Sequence, residues 1–116
     1  MHALVIEDDA ITAMLMEDEL RDLGFVSVDI ASTEQEAIEA VARKCPDLVT
    51  SDGTLLSGSG LGAVRRIRDL CSTAVLFVTG DPASARRTMP RLPVLEKTFT
   101  IDQFNAAVKS ALAPAC

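Results

Sequence analysis

The chain has 116 residues, 48% of them hydrophobic, with a formal net charge of −6. That length holds one domain, residues 1–116, and an apolar content this high excludes a disordered chain. The acidic balance excludes nucleic acid or a membrane surface as the expected partner, since both reward a basic face, and the longest apolar runs are too short to span a bilayer.

Ala3-Leu4-Val5-Ile6 is a continuous apolar run ending in Glu7-Asp8-Asp9, the pattern of a strand covered on both faces. Over residues 10–23, Ala13, Met16, Leu20 and Leu23 recur at helical spacing, and Gly24 is a stop signal. Val26, Val28 and Ile30 alternate with Ser27 and Asp29, predicting an edge strand with one wetter face. Thr33 and Glu36 have the spacing of a capping box and open a helix carrying Ala37, Ile38, Val41 and Ala42 inward. Pro46 ends that helix, and residues 47–51 form a third strand around Leu48 and Val49. Ser57-Gly58-Ser59-Gly60 reads as a flexible lead into a helix marked by Leu61, Val64 and Ile67.

Residues 74–78 are the plainest buried strand. Residues 81–92 contain Pro82 and Pro90, so a helix there is limited to one or two turns. Pro93-Val94-Leu95 predicts a short edge strand. Thr100 and Gln103 form a second capping-box pattern, and Phe104, Ala107, Val108, Ala111 and Leu112 give the last helix its apolar stripe. Five strands alternating with helices imply an α/β fold with a doubly wound parallel sheet.

Cys45, Cys71 and Cys116 are odd in number, far apart and outside any C-x-x-C pattern. Reduced thiols are expected, without disulfide or metal roles, in a cytoplasmic protein. Met1-His2 leads directly into the first apolar run, so no signal peptide is expected. Arginines cluster at Arg65, Arg66 and Arg68 and again at Arg86, Arg87 and Arg91. Solvated helix surface is the favoured reading of them, and a docking patch for a protein partner the alternative.

In open parallel sheets, ligands bind beyond the carboxyl ends of the strands. Those ends here carry Glu7-Asp8, Asp52, Thr79-Gly80 and Lys97. Like charges ~4 Å apart repel by about 4 kcal/mol at an effective dielectric near 20, so three carboxylates need compensation. Lys97 supplies one positive charge, and Mg2+ suits the remainder because it favours carboxylates, a carbonyl and waters. Acidic residues also favour helix N-termini, which accounts for Asp9 but for neither Asp52 nor Lys97.

Glu7-Asp8 after the first strand, Asp52 after the third, Thr79-Gly80 after Val75 to Val78, and Lys97 before Phe99 resemble the response-regulator receiver family. The resemblance spans essentially the whole chain. It implies a flavodoxin-like five-stranded sheet of order 2-1-3-4-5 and a phosphoacceptor role for Asp52. It also implies Mg2+ held by Asp8 and Asp52 directly, by Glu7 through water and by the Thr54 carbonyl. Thr79 would donate its hydroxyl to the phosphoryl group, helped by the Gly80 amide, and Lys97 would neutralise a phosphoryl oxygen. The implied partners are a sensor histidine kinase or histidine phosphotransfer protein and a downstream protein reached by contact. Such a protein catalyses only its own phosphorylation and dephosphorylation.

Four departures bear on the output side. Val94 stands where family members usually have an aromatic residue, Thr98 where a proline commonly follows the lysine, and Leu56 where another proline is frequent. A cis bond at Lys97-Thr98 is therefore not expected, because it is costly without proline. The segment between Thr79 and Lys97 is about one helical turn short, which resembles a subgroup of alphaproteobacterial single-domain receivers.

Two rival functions fit the residues less well. A pseudo-receiver scaffold would not need the acidic, hydroxyl and lysine positions all retained. Ser51-Asp52-Gly53-Thr54 resembles the first motif of haloacid-dehalogenase-type phosphatases, but that motif requires an aspartate where Thr50 stands.

Overall fold

The computed structural model describes residues 1–53 and 58–113; Thr54, Leu56, Ser57 and Cys116, singled out above, lie outside the described residues. The elements alternate strictly along the chain. They are β1 (His2–Ile6), α1 (Ala10–Asp22), β2 (Ser27–Ala31), α2 (Glu34–Arg43), β3 (Leu48–Ser51), α3 (Gly60–Leu70), β4 (Ala74–Thr79), α4 (Pro82–Thr88), β5 (Val94–Glu96) and α5 (Ile101–Leu112). All strand pairs are parallel, in the order β2-β1-β3-β4-β5. The expected doubly wound, flavodoxin-like sheet is therefore present, with β2 and β5 at its edges.

The continuous apolar runs at β1, β3 and β4 follow from burial on both faces. Leu4, Ile6, Val49, Val75 and Phe77 join one core with residues of α2, α3 and α4. Ala3, Val5, Leu48, Leu76 and Val78 join a second core with α1 and α5, where Phe104 stacks on Phe99 with ring centroids 5.6 Å apart. Among the described residues, no helix is long and apolar enough to cross a membrane.

Capping explains where several helices start. Thr33 accepts a hydrogen bond from the Glu36 amide, but the reciprocal bond of a capping box is not made to Thr33. The Glu36 carboxylate instead accepts from the amide and hydroxyl of Ser32, each at 2.8 Å. At α5 both halves of the Thr100–Gln103 box form, as the sequence predicts. α4 takes up seven residues, with Asp81 as its N-cap and Pro82 in the first turn, where the missing amide costs nothing.

Several expectations are corrected. α2 buries Ala37, Ala40 and Val41, whereas Ile38 is half-buried and Ala42 exposed, because the helix turns its stripe toward α3 and the sheet. On β2, Val28 packs inward but Ile30 is exposed, as is Val26 just before the strand, which begins only at Ser27, an effect of the edge position. Cys45 and Cys71 are joined as a disulfide, with Cα atoms 6.2 Å apart. The two are 26 positions apart in the sequence. The α2–β3 turn and the end of α3 nevertheless meet because β3 and β4 are neighbours. The Lys97–Thr98 bond is cis. Lys97 is fixed there at both ends, by its amide on the Thr79 carbonyl at 2.9 Å and by its ammonium.

Candidate functional site

The parallel sheet brings the ends of β1, β3, β4 and β5 to one rim. The chain passes from sheet to rim through backbone bonds, Glu7 N to Ala31 O and Asp52 N to Ile6 O, both 2.9 Å. These leave Glu7 and Asp52 side by side with their side chains directed out of the strands.

Lys97 ties the two together. Its Nζ donates to Glu7 Oε1 at 2.6 Å and to Asp52 Oδ2 at 3.0 Å. Glu7 is fully buried at its side chain, and its second oxygen accepts from the Asp9 amide at 3.1 Å. Burial pushes the Glu7 carboxyl above the usual carboxylate range, against the opposing pull of Lys97 and the Asp9 amide. Burial works to lower the Lys97 ammonium, but its hydrogen bonds to Glu7 and Asp52 and their charges outweigh it and raise Lys97 above an ordinary lysine.

Asp8 completes an acidic cluster. One oxygen from each of Glu7, Asp8 and Asp52 lies within 4.8 Å of the others. The donors are all hard carboxylate oxygens, with no thiolate or imidazole among them, which is the donor chemistry of a small divalent cation such as Mg2+. Three carboxylates this close, only two of them paired with the Lys97 ammonium, leave a local excess of negative charge that such a cation would offset.

Thr79 ends β4 buried, and its hydroxyl accepts from the Asp81 amide at 3.0 Å. A Cβ on Gly53 would lie 3.8 Å from this hydroxyl, so Thr79 reaches the backbone just past Asp52. Gly80 follows, exposed. Glu7, Asp8, Asp52, Thr79 and Lys97 are thus gathered at one rim. Thr54, the remaining expected ligand, falls outside the described residues. Asp9 sits at the N-cap of α1 and makes no side-chain bond to the helix backbone. Its carboxylate takes the Thr12 hydroxyl, which holds Asp9 below the usual range.

The backbone behind Asp52 carries a feature that sequence reading missed. Gly60 N donates to Gly53 O at 3.2 Å, and a Cβ on Gly60 would fall 1.5 Å from the Asp52 carbonyl oxygen. Only glycine permits that approach. Glu34, at the start of α2, accepts from the Ser59 amide at 2.9 Å and lies against Gly58, whose φ is +84°. The Gly58-Ser59-Gly60 run read as a flexible lead is instead a close-packed joint between α2 and the Asp52 backbone. The signal was present in the alternate spacing of Gly58, Gly60 and Gly62. Thr50, where a haloacid-dehalogenase motif needs its nucleophile, is enclosed in the sheet at 1% exposure.

Residues 3–109 match the model of the response regulator receiver domain. A probable chemotaxis protein CheY of Rhizobium etli is 26% identical over 114 residues, covering 92% of this chain and 88% of the relative. A protein-glutamate methylesterase/protein-glutamine glutaminase of Archaeoglobus fulgidus is 30% identical over 109 residues, covering 93% of this chain but 31% of the relative. The chain thus spans about a third of that relative's length. The solution structure of the PhyR response regulator receiver domain of Erythrobacter litoralis superposes with a TM-score of 0.87 at 31% identity, covering 99% of this chain and 95% of that one.

Proposed function

The chain belongs to the response regulator receiver domain family, and on that premise we propose that residues 1–116 form one cytoplasmic receiver unit that accepts a phosphoryl group on Asp52 in a two-component or phosphorelay system. The observation that carries this reading is the Lys97 ammonium bridging Glu7 and Asp52 beside a triple-carboxylate cluster.

The donor is a phosphohistidine on a sensor histidine kinase or histidine phosphotransfer protein. An Asp52 oxygen attacks the phosphorus, a P–O bond forms, the P–N bond breaks, and the electron pair returns to the imidazole, which takes up a proton. Such transfer depends on in-line positioning and neutralised charge more than on covalent help. Asp52 is the more exposed of the two carboxylates on Lys97, with 11% of its side-chain surface open against none for Glu7. That exposure makes Asp52 the oxygen donor a partner can reach. Lys97 is held where it can turn from carboxylate to phosphoryl oxygen.

Asp8 and Asp52 would hold Mg2+, with Glu7 through water and Thr54 through its carbonyl. Bound there, the ion would supply neutralisation of negative charge on the phosphoryl oxygens.

Thr79 would turn its hydroxyl, and Gly80 its amide, toward the new anionic group. The Thr79 hydroxyl now accepts from the Asp81 amide at the cap of α4. Exchanging that bond for one to a phosphoryl oxygen links Asp52 to α4, and contacts worth about 1–3 kcal/mol shift a two-state equilibrium roughly 5- to 150-fold. With Val94 in place of an aromatic, the coupling runs through the α4 cap, and the downstream protein is reached by contact.

Incubation with radiolabelled acetyl phosphate and Mg2+ tests the reading. It predicts an acid-stable, base-labile adduct without multiple turnover of generic phosphomonoesters. No adduct with an otherwise folded protein would leave a pseudo-receiver scaffold, and repeated turnover would indicate a phosphatase.

A further inference from the structure

The charge of this acidic chain is strongly segregated. Between residues 60 and 92 six arginines stand against two aspartates, while the remainder carries five cations against fifteen carboxylates. The basic region also has a shape. A groove of about 540 Å³ lies between α3 and the segment joining α4 to β5. Arg65 and Arg68 form one wall and Arg91 the other, over a floor that includes Met89 and Leu92.

The groove follows from the helix period. Val64 and Ile67 face the core, which turns Arg65 and Arg68 outward on a neighbouring face. Met89 is buried and Leu92 packs against the same core, so the floor is fixed and apolar. All three arginines are exposed, and among the described residues none makes an ion pair or hydrogen bond, although Asp69 lines the same groove.

We propose that this groove docks an acidic polypeptide segment of a partner protein, with carboxylates on Arg65, Arg68 and Arg91 and an apolar side chain on the Met89–Leu92 floor. The charge pattern selects this class of ligand. A nucleic acid or anionic membrane is an extended polyanion, and beyond the groove it would meet the strongly acidic remainder of the chain. A short acidic segment ends before that repulsion begins. Helices of this fold start at the phosphoacceptor rim and run away from it, so the ends of α3 and α4 place the groove toward the opposite edge. A partner could therefore occupy it while the rim remains open, and the inference stands apart from the chemistry of Asp52.

Fluorescence anisotropy with a labelled peptide that alternates glutamate pairs with leucine tests it. The intact chain is expected to bind with affinity that falls as salt rises. Arg68→Glu and Arg91→Glu should each weaken binding about tenfold or more, because like charges then face each other. Arg68→Gln should lose less, and Lys109→Glu on α5 should leave affinity unchanged. These positions are exposed, so circular dichroism should show an intact fold in every variant. Absence of peptide binding, equal binding by the Arg68 and Arg91 variants, or tighter Arg68-dependent binding of a single-stranded oligonucleotide or an anionic vesicle would overturn the proposal.

Discussion

Lys97 lies closer to Glu7 than to Asp52, at 2.6 Å against 3.0 Å. Its tighter partner is the carboxylate with no exposed side-chain surface. The lysine therefore offsets the burial of Glu7 first, and leaves Asp52 the more accessible of the pair. Lys97→Met should lower stability by about 2 kcal/mol near neutral pH, because it leaves a buried carboxylate without its charged partner.

The pH dependence of that deficit has a definite sign. Glu7 already titrates above the usual range, so its ionised form destabilises the fold as pH rises through that raised value. Without Lys97 the value moves further up. The deficit of the variant should shrink as pH falls and Glu7 protonates, which urea unfolding at neutral and mildly acidic pH will measure.

Glu36 gives the opposite sign. Hydrogen bonds from the Ser32 amide and hydroxyl hold its carboxyl below the usual range. Its contribution is present above the unfolded value and is lost as pH falls through the depressed folded value. Glu36→Gln should therefore be less stable than the parent at neutral pH. The two unfolding midpoints should converge in acid below the ordinary glutamate range.

Thr50 tests a different cost. Its hydroxyl is buried in β3 without a hydrogen-bond partner among the described residues. Replacing an orphaned buried hydroxyl by a methyl group of similar shape removes a desolvation penalty of about 1–3 kcal/mol. Thr50→Val is expected to raise the urea midpoint by the equivalent of about 1 kcal/mol, with the slope unchanged.

The alternation of strands and helices and the rim were legible because both are consequences of short-range pattern, whereas the strand order was implied by the family resemblance. Strands buried on two faces read as apolar runs, and the residues after them must emerge at one edge. What the sequence did not reveal depends on distances across the fold. Cys45 and Cys71 are linked only because β3 and β4 are neighbours, and no spacing rule anticipates that. Glu36 has the spacing of a capping-box residue, yet Ser32 competes for its carboxylate with both an amide and a hydroxyl. Gly60 is needed because of a backbone approach to Asp52, which composition alone reads as looseness. Helix faces at Ile38 and Ala42 were misplaced by a fraction of a turn, since periodicity fixes a stripe but not the angle at which it docks.

The most direct measurement of the central claim is the intact mass of the protein after treatment with acetyl phosphate, with Mg2+ and with the metal chelated. Wild type in Mg2+ should gain the mass of one phosphoryl group, mapped to Asp52, and lose it in base. Chelation, Asp8→Asn and Asp52→Asn should each abolish or sharply reduce the gain. An equal gain by Asp52→Asn, or a wild-type gain indifferent to Mg2+, would contradict the account.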